Sequence, residues 1–126
     1  MAEERKHYTL TERESKELPG RILAVLLECH AQKTRITGAQ LARRFGYRND
    51  RKVRVAIAGL IGKGYLILSS VRKPYGYFLA ESREEILEYL ATEFSRVKEQ
   101  HARISAIQRN AGKLYTDIEQ MSLVLK

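Results

Sequence analysis

The sequence predicts a mainly α fold: three helices, a β-hairpin, a long carboxy-terminal helix and a short terminal helix. Three observations predict it. Apolar residues recur at three- and four-residue spacing in three separate stretches before residue 62. Two β-prone runs then flank a loop that holds Pro74 and Gly76. Beyond them the chain carries no Pro or Gly until Gly112. At 126 residues, 44% of them hydrophobic, the chain suffices for one modest core with an appendage.

Residues 1–17 read as a charged lead, within which Thr11-Glu12-Arg13-Glu14 has the capping-box spacing that can start a short helix. A domain is expected over 18–81. Its first helix runs from Pro19, suited to a first turn because its missing N–H has no partner there, to His30. Ile22, Leu23, Leu26, Leu27 and His30 supply that helix's periodicity. Thr37 caps a second helix over 38–45, and Gly46 stops it. Asp50 caps a third, in which Val53, Ala56, Ile57 and Leu60 form an apolar face before Gly62 and Gly64 end it. Tyr65–Leu68 and Tyr77–Ala80 form the hairpin. Ser82-Arg83-Glu84-Glu85 is a second capping box and opens the long helix, expected over 82–112, with a short amphipathic helix in 113–126.

The net charge of +8 is unevenly placed. Residues 33–78 hold eleven basic side chains and one acid, Asp50, while the rest of the chain is close to neutral. A basic middle in a neutral frame points to a polyanion. At 100° per residue, the third helix turns Arg51, Val55, Ala58 and Gly62 away from its apolar face, with Lys52 and Arg54 on the flanks. Small residues at the crest and cations towards the amino-terminal end suit a helix lying in a DNA major groove. Two helices joined by a tight turn, followed by a hairpin, constitute a winged helix-turn-helix. Arg51 is then the candidate for reading a base edge, and Val55 for contacting a thymine methyl. Arg48, Asn49, Lys52, Arg54, Thr37 and Gln40 are candidates for holding phosphates. Arg72, Lys73 and Tyr75 at the hairpin tip complete the set.

The run Ile36-Thr37-Gly38-Ala39-Gln40-Leu41-Ala42-Arg43-Arg44-Phe45-Gly46 resembles the opening of winged-helix proteins common in bacteriophages and prophages. So do Arg51-Lys52-Val53-Arg54, Gly64-Tyr65 and Tyr75-Gly76-Tyr77-Phe78-Leu79-Ala80. The resemblance spans about residues 20–110 and departs from the commonest pattern at Ala58-Gly59 and Ile61-Gly62, where more basic residues often stand. It implies the fold and a phage or prophage DNA-binding regulator.

Along the long helix Ile86, Leu90, Phe94, Val97, His101, Ile104, Ile107 and Ala111 make an apolar stripe too long for so small a domain to cover. Leu90, Phe94, Val97, His101, Ile104 and Ile107 are therefore expected at a homodimer interface. Catalysis, cofactor and metal are not expected. Cys29 and His30 are adjacent on a helix and point apart, and the glycines from Gly59 to Gly64 lack the order of a phosphate loop. The single cysteine, the absence of an apolar run of membrane-span length and the charged amino terminus point to the cytoplasm. The expected function is double-stranded DNA binding in transcriptional regulation. Because the fold also serves in protein recognition, the alternative is a module that engages a host protein complex, for example to block host defence.

Overall fold

The computed structural model describes residues 9–32 and 34–114. Among them are four helices and one two-stranded antiparallel sheet: α1 (Glu12–Gln32), α2 (Gly38–Arg44), α3 (Arg51–Gly62), β1 (Ile67–Ser69), β2 (Tyr77–Leu79) and α4 (Arg83–Leu114). The terminal helix expected in 113–126 falls, beyond Leu114, outside the described residues. The chain divides into two compact units, Met1–Tyr89 and Leu90–Lys126, so the first two turns of α4 group with the elements before them. No helix among the described residues is long and apolar enough to cross a membrane.

The Thr11 capping box forms: Glu14 N–H donates to Thr11 Oγ1 at 3.1 Å, and Thr11 N–H donates to Glu14 Oε1 at 2.9 Å. The helix it starts does not stop before Pro19. It runs through that proline to Gln32, merging two expected elements into one. An interior proline denies one carbonyl its donor and costs about 3 kcal/mol. Against that stand Leu18, Ile22, Val25 and Leu26, all buried on one side of α1, each worth about 1.5–3 kcal/mol on burial. Tertiary packing wins. The buried stripe is also rotated from the expected one, since Leu27 is exposed and Leu18 and Val25 are core.

The second unexpected link is ionic. Glu14 accepts two hydrogen bonds from Lys52 Nζ, at 2.8 and 3.0 Å, and one from the Tyr47 hydroxyl at 2.6 Å. One carboxylate thus caps α1 and ties it to α3 and to the turn before it. Burial raises the Glu14 pKa, but the hydrogen bonds from Lys52, Tyr47 and Thr11 outweigh it and bring the group down to about 2. Tyr47 moves the other way, pushed up to about 12 by burial and by its bond to that carboxylate.

Both short helices end in Schellman motifs. After α2, Gly46 at φ +82° lets its own N–H reach Arg43 O and Tyr47 N–H reach Ala42 O. After α3, Gly64 at φ +109° does the same with Ile61 O, and Tyr65 N–H reaches Leu60 O. This second closure explains why β1 begins at Ile67 and not at Tyr65: the Tyr65 amide finishes a helix. β1 and β2 pair with Ile67 opposite Leu79, Leu68 opposite Phe78 and Ser69 opposite Tyr77. Ile36, just before α2, extends the sheet by exchanging both backbone hydrogen bonds with Tyr77, at 3.2 and 2.6 Å. Gly76 makes that approach possible, for a Cβ there would lie 2.8 Å from the Ile36 backbone. At the far end α4 opens on the Ser82 box, with Glu85 N–H on Ser82 Oγ at 3.2 Å, and it continues past Gly112 to Leu114.

The core is one cluster. The α1 stripe meets Leu41 and Ala42 of α2, the Val53, Ala56, Ile57 and Leu60 face of α3, and Ile36 and Ile67 from the sheet side. Cys29 packs at its edge, and the half-buried His30 lies outside the cluster with its Nδ1 3.2 Å from the Leu79 carbonyl.

Glu14→Gln is expected to lower stability at neutral pH by about 1–3 kcal/mol. Because folding lowers the Glu14 pKa from its ordinary 4.5, its contribution is whole above that pH and is lost as the pH falls towards 2. Thermal unfolding of wild type and variant should therefore differ at pH 7 and converge as the pH falls from 4.5 to 2; a constant difference would remove the carboxylate from this role. Gly76→Ala should destabilise by more than about 1 kcal/mol in denaturant titration, through strain at φ +147° and contact with Ile36.

Candidate functional site

The buried face of α3 comprises the four residues expected, Val53, Ala56, Ile57 and Leu60. Burying them turns Arg51, Val55, Ala58 and Gly62 outward, and all four are exposed. Past Arg51 no side chain on this crest is larger than valine. Gly59 beside it is exposed as well, and a Cβ at Gly59 or Gly62 would meet nothing within 4 Å. Neither glycine has a positive φ. Packing among the described residues and backbone conformation therefore give no reason for glycine at either position.

The flanks differ from expectation. Lys52 is turned inward onto Glu14 and is only 28% exposed, so it belongs to the internal cluster and not to the outer face. Arg54 lies on the opposite flank, exposed, with its Nε 3.3 Å from Asp50. Asp50 occupies the cap position of α3 without a capping side-chain bond. Asn49 serves instead: its Oδ1 accepts from Arg51 N–H at 3.1 Å. At α2, Thr37 and Gln40 form a reciprocal box, with Gln40 Oε1 accepting from Thr37 N–H at 2.8 Å and Thr37 Oγ1 from Gln40 N–H at 3.1 Å. In both Asn49 and Gln40 the amide oxygen is used internally and the exposed NH2 group remains as donor. These side chains are structural caps first, and what they offer outward is a donor that an anion can take.

Arg48 is exposed in the turn before α3. In the hairpin loop Lys73 and Tyr75 are exposed, while Arg72 pairs with Glu88 of α4. A cavity of about 190 Å³ lies under this loop, with Ser70, Pro74, Phe78 and Tyr89 in its wall. Tyr77 links the loop to the α3 start: burial pushes its phenol pKa up, and the Asp50 carboxylate adds to the effect.

One feature of this region, the role of Arg35, was not singled out in the sequence. Arg35 lies over the Phe78 ring, 3.6 Å from its centroid, and 3.6 Å from Glu85, a structural role. A cation just before a capped helix gives no hint of that partner 43 positions away. Arg43 and Arg44 are exposed near Gln40 and line a shallow depression with it. Basic residues in the last turn of a helix also complement its dipole, which is the plainer account of them.

In the second unit, Leu90, Phe94, Val97, His101, Ile104 and Ile107 are all exposed, Phe94 by 65% and Ile104 by 57%. α4 has no buried residue along its 32 positions.

Because glycine inside a helix is costly, Gly59→Ala should stabilise the isolated chain by about 0.5–1 kcal/mol in chemical denaturation. A loss of stability would mean that Gly59 has an internal role. Comparison with known proteins returns no match for this chain, neither to a protein-family model, nor to a curated protein, nor to a solved structure.

Proposed function

We propose that this chain binds double-stranded DNA as a winged helix-turn-helix protein, with α2 and α3 as the helix pair and the β1–β2 hairpin as the wing. The observation that carries the reading is the outward crest of α3. Arg51 stands at its amino-terminal end, followed by Val55, Ala58 and Gly62, a surface low enough to approach base edges. The cost of glycine in that helix is unrewarded by any contact among the described residues and is offset if a duplex lies against it.

The division of roles follows from the surroundings. Arg51 and Val55 face bases; Arg48, Arg54 and the outward amides of Asn49 and Gln40 hold phosphates; Lys73 and Tyr75 reach the backbone or minor groove from the wing. Thr37 positions Gln40 through the cap. Arg72 joins the contact by exchanging Glu88 for a phosphate, and Arg54 by exchanging Asp50; exposed pairs of this kind are worth about 0–1 kcal/mol and exchange readily. Lys52, held by Glu14, is left out.

One observation favours a protein partner instead. Ile61, Tyr65 and Leu66, just beyond the crest, are each about half exposed. An apolar group of this kind suits a protein surface better than a phosphate backbone.

Titration of a random duplex by fluorescence anisotropy decides between them. If six to ten phosphates are engaged, affinity should fall by about 10³–10⁵ between 50 and 200 mM salt. No binding at low salt would overturn the DNA reading in favour of the protein one. Arg51→Ala should cost about 1–3 kcal/mol on a site selected from random duplex and much less on scrambled DNA. Lys73→Ala should weaken both duplexes alike and reduce the salt slope by about one. Equal losses for Arg51→Ala on both duplexes would mean that α3 grips the backbone without reading sequence.

A further inference from the structure

The exposed stripe of α4 has a stricter order than a simple apolar face. Leu87, Phe94, His101 and Gln108 recur every seven residues. Leu90, Val97, Ile104 and Ala111 recur every seven, three places after the first set. A 3,4 alternation held over more than three heptads is the signature of a helix that supercoils with another, the first set at a and the second at d. The outer positions b, c and f carry no aliphatic residue larger than alanine. Leu90, Phe94, Val97 and Ile104 are each at least 41% exposed, so none of the described residues closes over this seam.

What covers it is indicated by charge. In the four complete heptads that begin at Ile86, the g positions are Ile86, Glu93, Gln100 and Ile107, and the e positions are Ala91, Lys98, Ser105 and Gly112. The only charged residues among them are Glu93 and Lys98. In a parallel, in-register pair, each g residue faces the e residue five places further along the other chain. Glu93 then meets Lys98 twice, once on each side. An antiparallel pair sets g against g and e against e, which leaves this acid and this base without each other. Within its own chain Glu93 bonds the exposed Arg96, at 3.0 Å, a contact weak enough to exchange.

We infer that α4 pairs with α4 of a second copy of this chain as a parallel, in-register coiled coil, with Glu93 of each chain opposite Lys98 of the other. His101 and Gln108, polar at a positions, then stack on their counterparts. They reduce seam stability and fix the register, because any one-heptad slip sets each polar residue against an apolar one or its unlike neighbour. Parallel pairing attaches both amino-terminal units to the same end of the seam.

The test uses the full chain and reads mass and cross-linking, not DNA. Sedimentation equilibrium at tens of micromolar should give twice the chain mass, and Ile104→Asp should give a monomer that keeps its helical circular dichroism. Gln108→Cys in a Cys29→Ser background should form a disulfide-linked dimer under mild oxidation, whereas Glu99→Cys, on the outer face, should not. Glu93→Lys and Lys98→Glu should each weaken self-association by roughly threefold to tenfold, and mixing the two variants should restore it as a heterodimer. A folded wild-type monomer would overturn the pairing. A dimer whose Gln108→Cys form does not cross-link, or charge variants that gain nothing on mixing, would overturn the parallel register.

Discussion

The packing of α1 against α3 governs how the rest of the first unit is arranged. Leu18, Ile22, Val25 and Leu26 meet Val53, Ala56, Ile57 and Leu60, and this contact leaves α3 no freedom to rotate about its axis. A turn of 100° would bury Arg54 and expose Val53. The Glu14 cluster sharpens the constraint, since Lys52 can reach Glu14 only from one flank of α3. An apolar contact and an ionic one therefore agree on a single orientation, and the outward crest is their by-product. The proposed binding surface is held by atoms that would never touch a ligand.

Much of the punctuation of this chain was legible from its residues because it works through local geometry, although Asp50 makes no cap bond and α4 continues past Gly112. Thr11, Thr37 and Ser82 each sit three places before a Glu or Gln, and all three boxes form. Gly46 and Gly64 stand where a left-handed residue closes a helix, and both do so. The face of α3 was legible for the same reason, because its period is its own. The extent of α1 was not. Pro19 is a reliable local signal, but it was overruled by burial that depends on residues more than thirty positions away.

The same distinction separates the parts of the candidate site. Exposure of Arg51, Val55 and Ala58 followed from periodicity, and the structure agrees. The fate of each cation did not follow, because it depends on partners distant in sequence: Glu14 for Lys52, Glu88 for Arg72, Phe78 and Glu85 for Arg35. Charge counted along a chain overstates what a ligand meets. Residues 33–78 hold eleven basic side chains, yet Lys52 and Arg35 are committed inward. The seam of α4, by contrast, is wholly a sequence feature, and its helix contributes no buried residue that would obscure it.

The hairpin loop has a consequence for how such a protein can diverge. Its ends are pinned below the tip, by Ser70 N–H on Gly76 O at 2.9 Å and by the exchange between Ile36 and Tyr77. Residues 71–75 supply no side chain to the core cluster. The loop is therefore a cassette on a fixed frame: substitutions, insertions or a grafted sequence between Ser70 and Gly76 leave the core packing untouched. Loop lengthening is also cheap, at about 0.6 kcal/mol per doubling. Lineages that share this core are free to vary in the reach and charge of the loop, and an engineer can alter it while leaving every buried residue in place.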